Sequence, residues 1–321
     1  MKEGAFLSIF KGAGTALVTP FKNGNVDWDS LNSLIRWQLD EKIDALISCG
    51  TTGEASTLKD EEHIEVVKFT VDKVQQYALR EHSDENVFNG VPLEKRISVI
   101  AGAGSNDTAH AVEMAQTLEK LGIDGLLLVT PYYNKCSQKG LIKHYEKIAD
   151  SVNVPCILYS VPGRTGVNIL PDTVFYLADH PNIVGIKEAS GDISQVCSIS
   201  RAISEGFDVY SGNDDMTVPM MALGAAGCIS TIANIVPNDV HIMTHACLDK
   251  DTDKARKMQL NMKPLIDALF ADINPIPVKA ALSFMGKIHS EYRLPLCETS
   301  NAVLFNLMSE MKRYGITLPE L

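Results

Sequence analysis

The chain has 321 residues, 45% of them apolar and 21% charged, which is the composition of a folded globular protein and excludes a disordered one. A net charge of −11, with no basic run or stripe, excludes nucleic acid as the main partner, since binding it needs a positive footprint. No segment reaches the roughly 18 consecutive apolar residues that span a bilayer, so no membrane partner is expected.

Residues 1–10 hold a short apolar patch without the long apolar core and small-residue cleavage site of a secretory signal. Short, nearly continuous apolar runs then recur at 15–20, 45–50, 97–103, 125–130, 154–161, 183–189, 208–211 and 227–232. Strands buried on both faces read this way, and parallel sheets are where they occur. Between them lie amphipathic windows. Residues 29–41 open on Asp-Ser and carry Leu31, Leu34, Ile35 and Leu39 at helical spacing. Residues 59–77 carry Ile64, Val67, Val71 and Val74, and 107–121 carry Ala111, Met114, Ala115 and Leu118. Repeated β-then-α with eight strands predicts an α/β protein closed as a (β/α)8 TIM barrel. The polar stretch 77–95 joins a helix to the next strand and reads as an inert insertion on the face away from chemistry. Beyond about residue 250 only helical patterns follow, at 253–271, 276–289 and 299–313. The expected organisation is a barrel over 1–250 and a C-terminal helical domain over 251–321.

A barrel places its chemistry at the C-terminal ends of its strands. Gly50-Thr51-Thr52-Gly53-Glu54 follows the second strand and Pro131-Tyr132-Tyr133-Asn134 the fourth; Tyr159 ends the fifth, with Arg164 just beyond it, and Lys187 sits in the sixth. Lys187 is the sharpest of these, an ammonium between Ile183-Val184-Gly185-Ile186 and Glu188. Burial lowers the pKa of a lysine, by up to about 3–5 units when complete, and a neutral amine attacks a carbonyl to form an imine. The alternative is a lysine that points outward or is paired with Glu188 as a structural salt bridge. Tyr159 and Tyr133 are candidates for the proton transfers of imine chemistry, with Thr51 or Thr52 as a relaying hydroxyl; each is equally a packing residue. Arg164, in a Gly-flanked loop, carries a fork suited to a carboxylate.

Other constellations are weaker. His241 and His245 are spaced i, i+4, but the Glu of HExxH and any nearby acidic third ligand are missing, so no metal is expected. Gly12-Ala-Gly14 and Gly102-Ala-Gly104 lack the third glycine of a dinucleotide fingerprint, so no cofactor is expected. The seven cysteines are odd in number and have no CxxC pair, which predicts reduced thiols and a cytoplasmic location.

Taken together, Gly50-Thr51-Thr52-Gly53-Glu54, Ala101-Gly102-Ala103-Gly104-Ser105-Asn106, Pro131-Tyr132-Tyr133-Asn134-Lys135, Gly185-Ile186-Lys187-Glu188 and Asn274-Pro275-Ile276-Pro277-Val278-Lys279 resemble, in order and over nearly the whole chain, the dihydrodipicolinate synthase/N-acetylneuraminate lyase family of Schiff-base barrels. The resemblance implies an enzyme of lysine (diaminopimelate) biosynthesis that condenses pyruvate with L-aspartate 4-semialdehyde. Arg164 favours that branch over the alternative, an aldolase acting on a sugar acid such as N-acetylneuraminate. It implies that Lys187 forms the imine, that Tyr159 is the general acid/base relaying through Thr51 to Tyr133 of a neighbouring subunit, and that Thr52 holds the pyruvate carboxylate. It also implies that Arg164 holds the semialdehyde carboxylate and that Gly212 and Ile229 line the pyruvate pocket. It further implies a homotetramer built as a dimer of dimers, and an allosteric lysine pocket around His63, Asn106, His110 and Tyr132. Departures from the family pattern are Cys136 in place of proline, Ser160 in place of asparagine, Asp60 in place of a histidine, and His110 in place of a glutamate. The last is expected to deprive a lysine ammonium of its carboxylate partner.

Overall fold

The computed structural model describes residues 8–81, 97–202 and 206–319. In chain order the elements are β1 (Gly12–Ala16), a small hairpin of β2 (Phe21–Lys22) and β3 (Asn25–Val26), α1 (Trp28–Asp40), β4 (Ala45–Ser48), α2 (Asp60–Glu81), β5 (Ser98–Gly102), α3 (Thr108–Glu119), β6 (Gly125–Val129), α4 (Gln138–Ala149) and β7 (Cys156–Ser160). There follow α5 (Pro162–Thr165), α6 (Pro171–Ala178), β8 (Ile183–Glu188), α7 (Ile193–Ala202), β9 (Asp208–Ser211), α8 (Thr217–Ala222), β10 (Gly227–Ser230) and α9 (Pro237–Leu248). The chain then runs through α10 (Thr252–Leu269), α11 (Ile276–Phe284) and α12 (Asn301–Tyr314).

Eight strands pair in parallel and close on themselves in the order β1-β10-β9-β8-β7-β6-β5-β4, the predicted (β/α)8 barrel with helices on the outside and three further helices after it. Two apolar layers result. Side chains on the inner wall, among them Phe10, Ile47, Ile100, Leu127, Ile157, Tyr159, Tyr210 and Ile229, fill the barrel. Those on the outer wall meet the apolar stripes of the helices, including Leu31, Leu34, Ile35 and Leu39 of α1. The Phe10 ring stacks on Tyr210 at 4.5 Å inside the barrel, and the Tyr210 hydroxyl donates to the Phe10 carbonyl at 2.8 Å.

The differences from the sequence reading are local. The first strand begins at Gly12, because glycines and alanines with little apolar signal pair in register with β10 and β4. Helix α1 is capped by Asp27, whose carboxylate accepts from Ser30 N–H at 3.1 Å, and so opens before the Asp-Ser pair. Helix α2 runs on to Glu81, so the start of the stretch read as an insertion is helical; residues 82–95 of that stretch lie outside the described residues. Among the described residues no helix is long and apolar enough to cross a membrane.

Candidate functional site at the barrel mouth

Side chains alternate between the two faces of a strand, and β8 therefore separates Lys187 from Glu188. Lys187 turns inward in register with Tyr159 on β7 and Tyr210 on β9, both on the inner wall. It is 6% exposed, with Nζ 4.4 Å from the centre of the Tyr159 ring. Glu188 turns outward, where its carboxylate accepts from Ser190 N–H at 2.6 Å and Gln195 Nε2 at 2.9 Å, and burial pushes it above the usual carboxylate range. The Lys187–Glu188 salt bridge allowed by the sequence is therefore not formed. Among the described residues no carboxylate lies within ion-pair distance of Lys187.

Gly212, immediately after β9, makes room for the lysine stem: a Cβ there would sit 3.1 Å from Lys187 Cε and 2.6 Å from Ala189 Cβ. Ile229, on β10, is 1% exposed on the inner wall. Beside them lies Asp214, a buried carboxylate that the sequence reading missed. It accepts from Thr231 N–H at 3.1 Å and Ile232 N–H at 2.8 Å. Burial pushes Asp214 up, against these hydrogen bonds and the nearby Lys187 charge, which hold it down. Its one signal in sequence is Asn213-Asp214-Asp215 at a strand end.

The loop after β4 carries Thr51, which is half-buried, and Thr52, which is buried. Thr52 Oγ1 accepts from Asn274 Nδ2 at 3.0 Å, which leaves its own proton free to donate. Asn274 also receives Arg164, whose Nη2 donates to the Asn274 carbonyl at 3.0 Å. Asn274, two positions ahead of α11, thus links Thr52 to Arg164, although the three are far apart in the chain. Glu54 closes the loop in the left-handed region (φ 54°) and is held by Lys279 of α11, while Arg293 N–H donates to its second oxygen at 3.3 Å. Asn274 and Lys279 belong to a motif that the sequence reading quoted without giving either a role. Their partners arrive only through the tertiary fold.

Tyr133 does not join this group within its own chain. It is 92% exposed and carries a left-handed φ of 71°. The residues expected around an allosteric pocket lie on the loops after β5 and β6, which carry Asn106 and Tyr132, and in the first turns of α2 and α3, which carry His63 and His110. His63 is buried, with Nε2 2.8 Å from the Gly102 carbonyl, and burial lowers its pKa. Asn106 Nδ2 donates to the Tyr132 carbonyl at 3.1 Å, and Tyr132 is partly exposed. His110 Nε2 lies 3.1 Å from the carboxylate of Asp60 at the start of α2. Of the other departures, Ser160 is fully buried and its hydroxyl donates to Asn168 Oδ1 at 2.9 Å, whereas Cys136 is partly buried.

Fold and mouth together define a (β/α)8 barrel with a buried lysine on its inner wall and a hydrogen-bonded set made of the Thr52 hydroxyl, the Asn274 carboxamide and the Arg164 guanidinium. The model of the dihydrodipicolinate synthetase family matches residues 9–78 and 85–313, and the chain belongs to that family. It is 49% identical over 311 residues to a 4-hydroxy-tetrahydrodipicolinate synthase of Thermoanaerobacter sp. (strain X514), covering 97% of this chain and 98% of the relative. Among solved structures, the dihydrodipicolinate synthase of Acinetobacter baumannii, complexed with pyruvate, superposes with a TM-score of 0.88 at 41% identity, covering 96% of this chain and 99% of that one. The enzyme from Cyanidioschyzon merolae with lysine bound superposes with a TM-score of 0.88 at 37% identity, covering 96% and 99%.

Proposed function

We propose that this protein is a 4-hydroxy-tetrahydrodipicolinate synthase, a lyase-class enzyme that condenses pyruvate with L-aspartate 4-semialdehyde through a Schiff base on Lys187. The observation that carries the reading is the Lys187 amine itself, held on the inner wall against the Tyr159 ring with no carboxylate at ion-pair distance among the described residues. An amine held so attacks the C2 carbonyl of pyruvate and expels water as the imine forms. Loss of a methyl proton then gives an enamine whose carbon adds to the aldehyde of the second substrate. Tyr159 moves these protons, relaying through Thr51 to Tyr133.

Thr52 donates its free hydroxyl proton to the pyruvate carboxylate, in the pocket lined by Gly212 and Ile229. Arg164 offers its remaining donors to the semialdehyde carboxylate at the mouth. The nearly full exposure of Tyr133 supports a side chain that enters the site of a neighbouring subunit, and so a dimer; the homotetramer of paired dimers rests on the family resemblance. Residues 1–250 are taken as the catalytic barrel and 251–321 as a helical unit that braces its mouth through Asn274, Lys279 and Arg293. Seven unpaired cysteines support a cytoplasmic location. Asp60 supplies, beside His110, Asn106 and Tyr132, the acidic group that a lysine ammonium seeks, and so supports lysine as a regulator. The relatives carry the synthase name, and nothing in them supports the sugar-acid alternative.

The test is a steady-state assay with both substrates. Turnover that requires pyruvate and L-aspartate 4-semialdehyde together is expected, with no cleavage of N-acetylneuraminate. Cleavage of the sugar acid without synthase turnover would overturn the assignment.

A further inference from the structure

At the opposite end of the barrel from Lys187, three ligand-bearing side chains converge. His241 and His245 lie one turn apart on α9, with ring centres 4.0 Å apart, and Asp44 immediately precedes β4. His241 Nδ1 donates to Asp44 Oδ2 at 3.1 Å, and His245 Nε2 donates to Oδ1 at 3.0 Å. Each residue can offer one ligand atom such that all three lie within 4.8 Å of one another. The missing acidic partner, for which the histidine pair was set aside in the sequence, is thus supplied from nearly two hundred residues away.

We propose that Asp44, His241 and His245 form a binding site for one first-row divalent cation of the zinc class. Two imidazoles and a carboxylate are a borderline donor set, which suits zinc, cobalt or nickel and disfavours magnesium and calcium. A tetrahedral ion with bonds of about 2.0–2.2 Å spaces its ligands about 3.4 Å apart; with one carboxylate oxygen as ligand, one edge of the triangle already lies near that spacing and the other two have to close by roughly 1.4 Å each at most. The surroundings fit a ligand set. Ala13 N–H donates to Asp44 Oδ2 at 2.7 Å and fixes the carboxylate, as outer partners of metal ligands do. Gly12 (φ 102°) leaves the space open, since a Cβ there would fall 2.3 Å from Asp44 Oδ2 and 3.0 Å from His245 Nε2. All three side chains are partly exposed, which gives an ion access and leaves its remaining position to water.

The site lies at the N-terminal ends of β1 and β4, the face of a barrel where side chains serve stability and not chemistry. A cation there clamps the last barrel helix to the seam between the first two barrel strands. It binds the native state only and therefore stabilises it. This assignment is independent of the reaction at the mouth.

The experiment uses the full-length protein freed of metal with a chelator, titrated with zinc chloride by calorimetry and with cobalt chloride by visible absorption. One zinc per chain, a tetrahedral cobalt spectrum and a raised melting temperature are expected. The H241Q/H245Q variant should lose at least about a hundredfold in zinc affinity, and D44N about tenfold or more. His245→Ala, at the most exposed of the three positions, serves as a second variant, and melting in chelator verifies that each variant is folded. Absence of stoichiometric zinc binding, or equal binding by H241Q/H245Q, would overturn the proposal and leave a purely hydrogen-bonded cluster.

Discussion

Glu54 and Lys279 form an ion pair wholly out of water, with Oε1 and Nζ 2.5 Å apart and neither side chain exposed. The ammonium also stands 4.2 Å from the centre of the Phe21 ring, and burial lowers its pKa against the pull of Glu54. The pair ties the Thr51-Thr52 loop to α11. Breaking it from one side leaves a buried charge, so Lys279→Met should cost about 3–5 kcal/mol in urea unfolding, whereas Glu54→Gln with Lys279→Met should recover much of the loss. Equal instability of the single and double variants would contradict a coupled pair.

Asn274 does not touch the reacting lysine in this account but orients the hydroxyl of Thr52. Asn274→Ala should raise KM for pyruvate by roughly tenfold, the equivalent of one lost hydrogen bond, with kcat less affected. A drop in kcat alone would place Asn274 elsewhere in the mechanism.

The role proposed for Arg164, at the second carboxylate alone, is tested by treating the two substrates separately. Arg164→Ala should raise KM for the semialdehyde by at least about tenfold while leaving pyruvate adduct formation intact. Equal loss of both would remove the assignment of Arg164 to the second carboxylate.

The proposed regulation by lysine rests on Asp60, 3.1 Å from His110. L-lysine should inhibit the parent, and Asp60→Asn should be inhibited at least about tenfold less tightly, the loss of one charge-assisted hydrogen bond. Identical lysine curves would exclude Asp60 from the pocket.

The pH dependence of stability has a marked contributor in His144. It is buried against Thr108 Oγ1 at 2.9 Å, and its Nε2 finds no hydrogen-bond partner among the described residues. Burial pushes its pKa down to about 4 from 6.5. A depressed folded-state pKa means that the unfolded chain binds the extra proton, so this stability is present above about pH 6.5 and is lost as pH falls toward 4. The loss is about 3 kcal/mol. Urea unfolding across this range should show the parent losing that much more than His144→Leu. Parallel curves would contradict the assignment.

The barrel was legible because its strands are continuous apolar runs and its helices carry apolar stripes, patterns that burial on two faces and on one face impose. Lys187 stood out because a charge in such a run conflicts with its surroundings. What the sequence could not supply was pairing across distance. Nothing near Glu54 announces Lys279, nothing near Thr52 announces Asn274, and the histidines of α9 lacked an acidic neighbour until the barrel brought Asp44 to them. β1 was misplaced for a related reason: Gly12 and Gly14 carry no apolar signal, yet they pair in register with β10.

Condensation of the Lys187 amine with pyruvate is open to trapping by borohydride reduction in the presence of pyruvate. Inactivation is expected, with one reduced pyruvyl adduct per chain, mapped by peptide mass spectrometry to Lys187 and absent from Lys187→Ala. No adduct, or an adduct on another lysine, would contradict it.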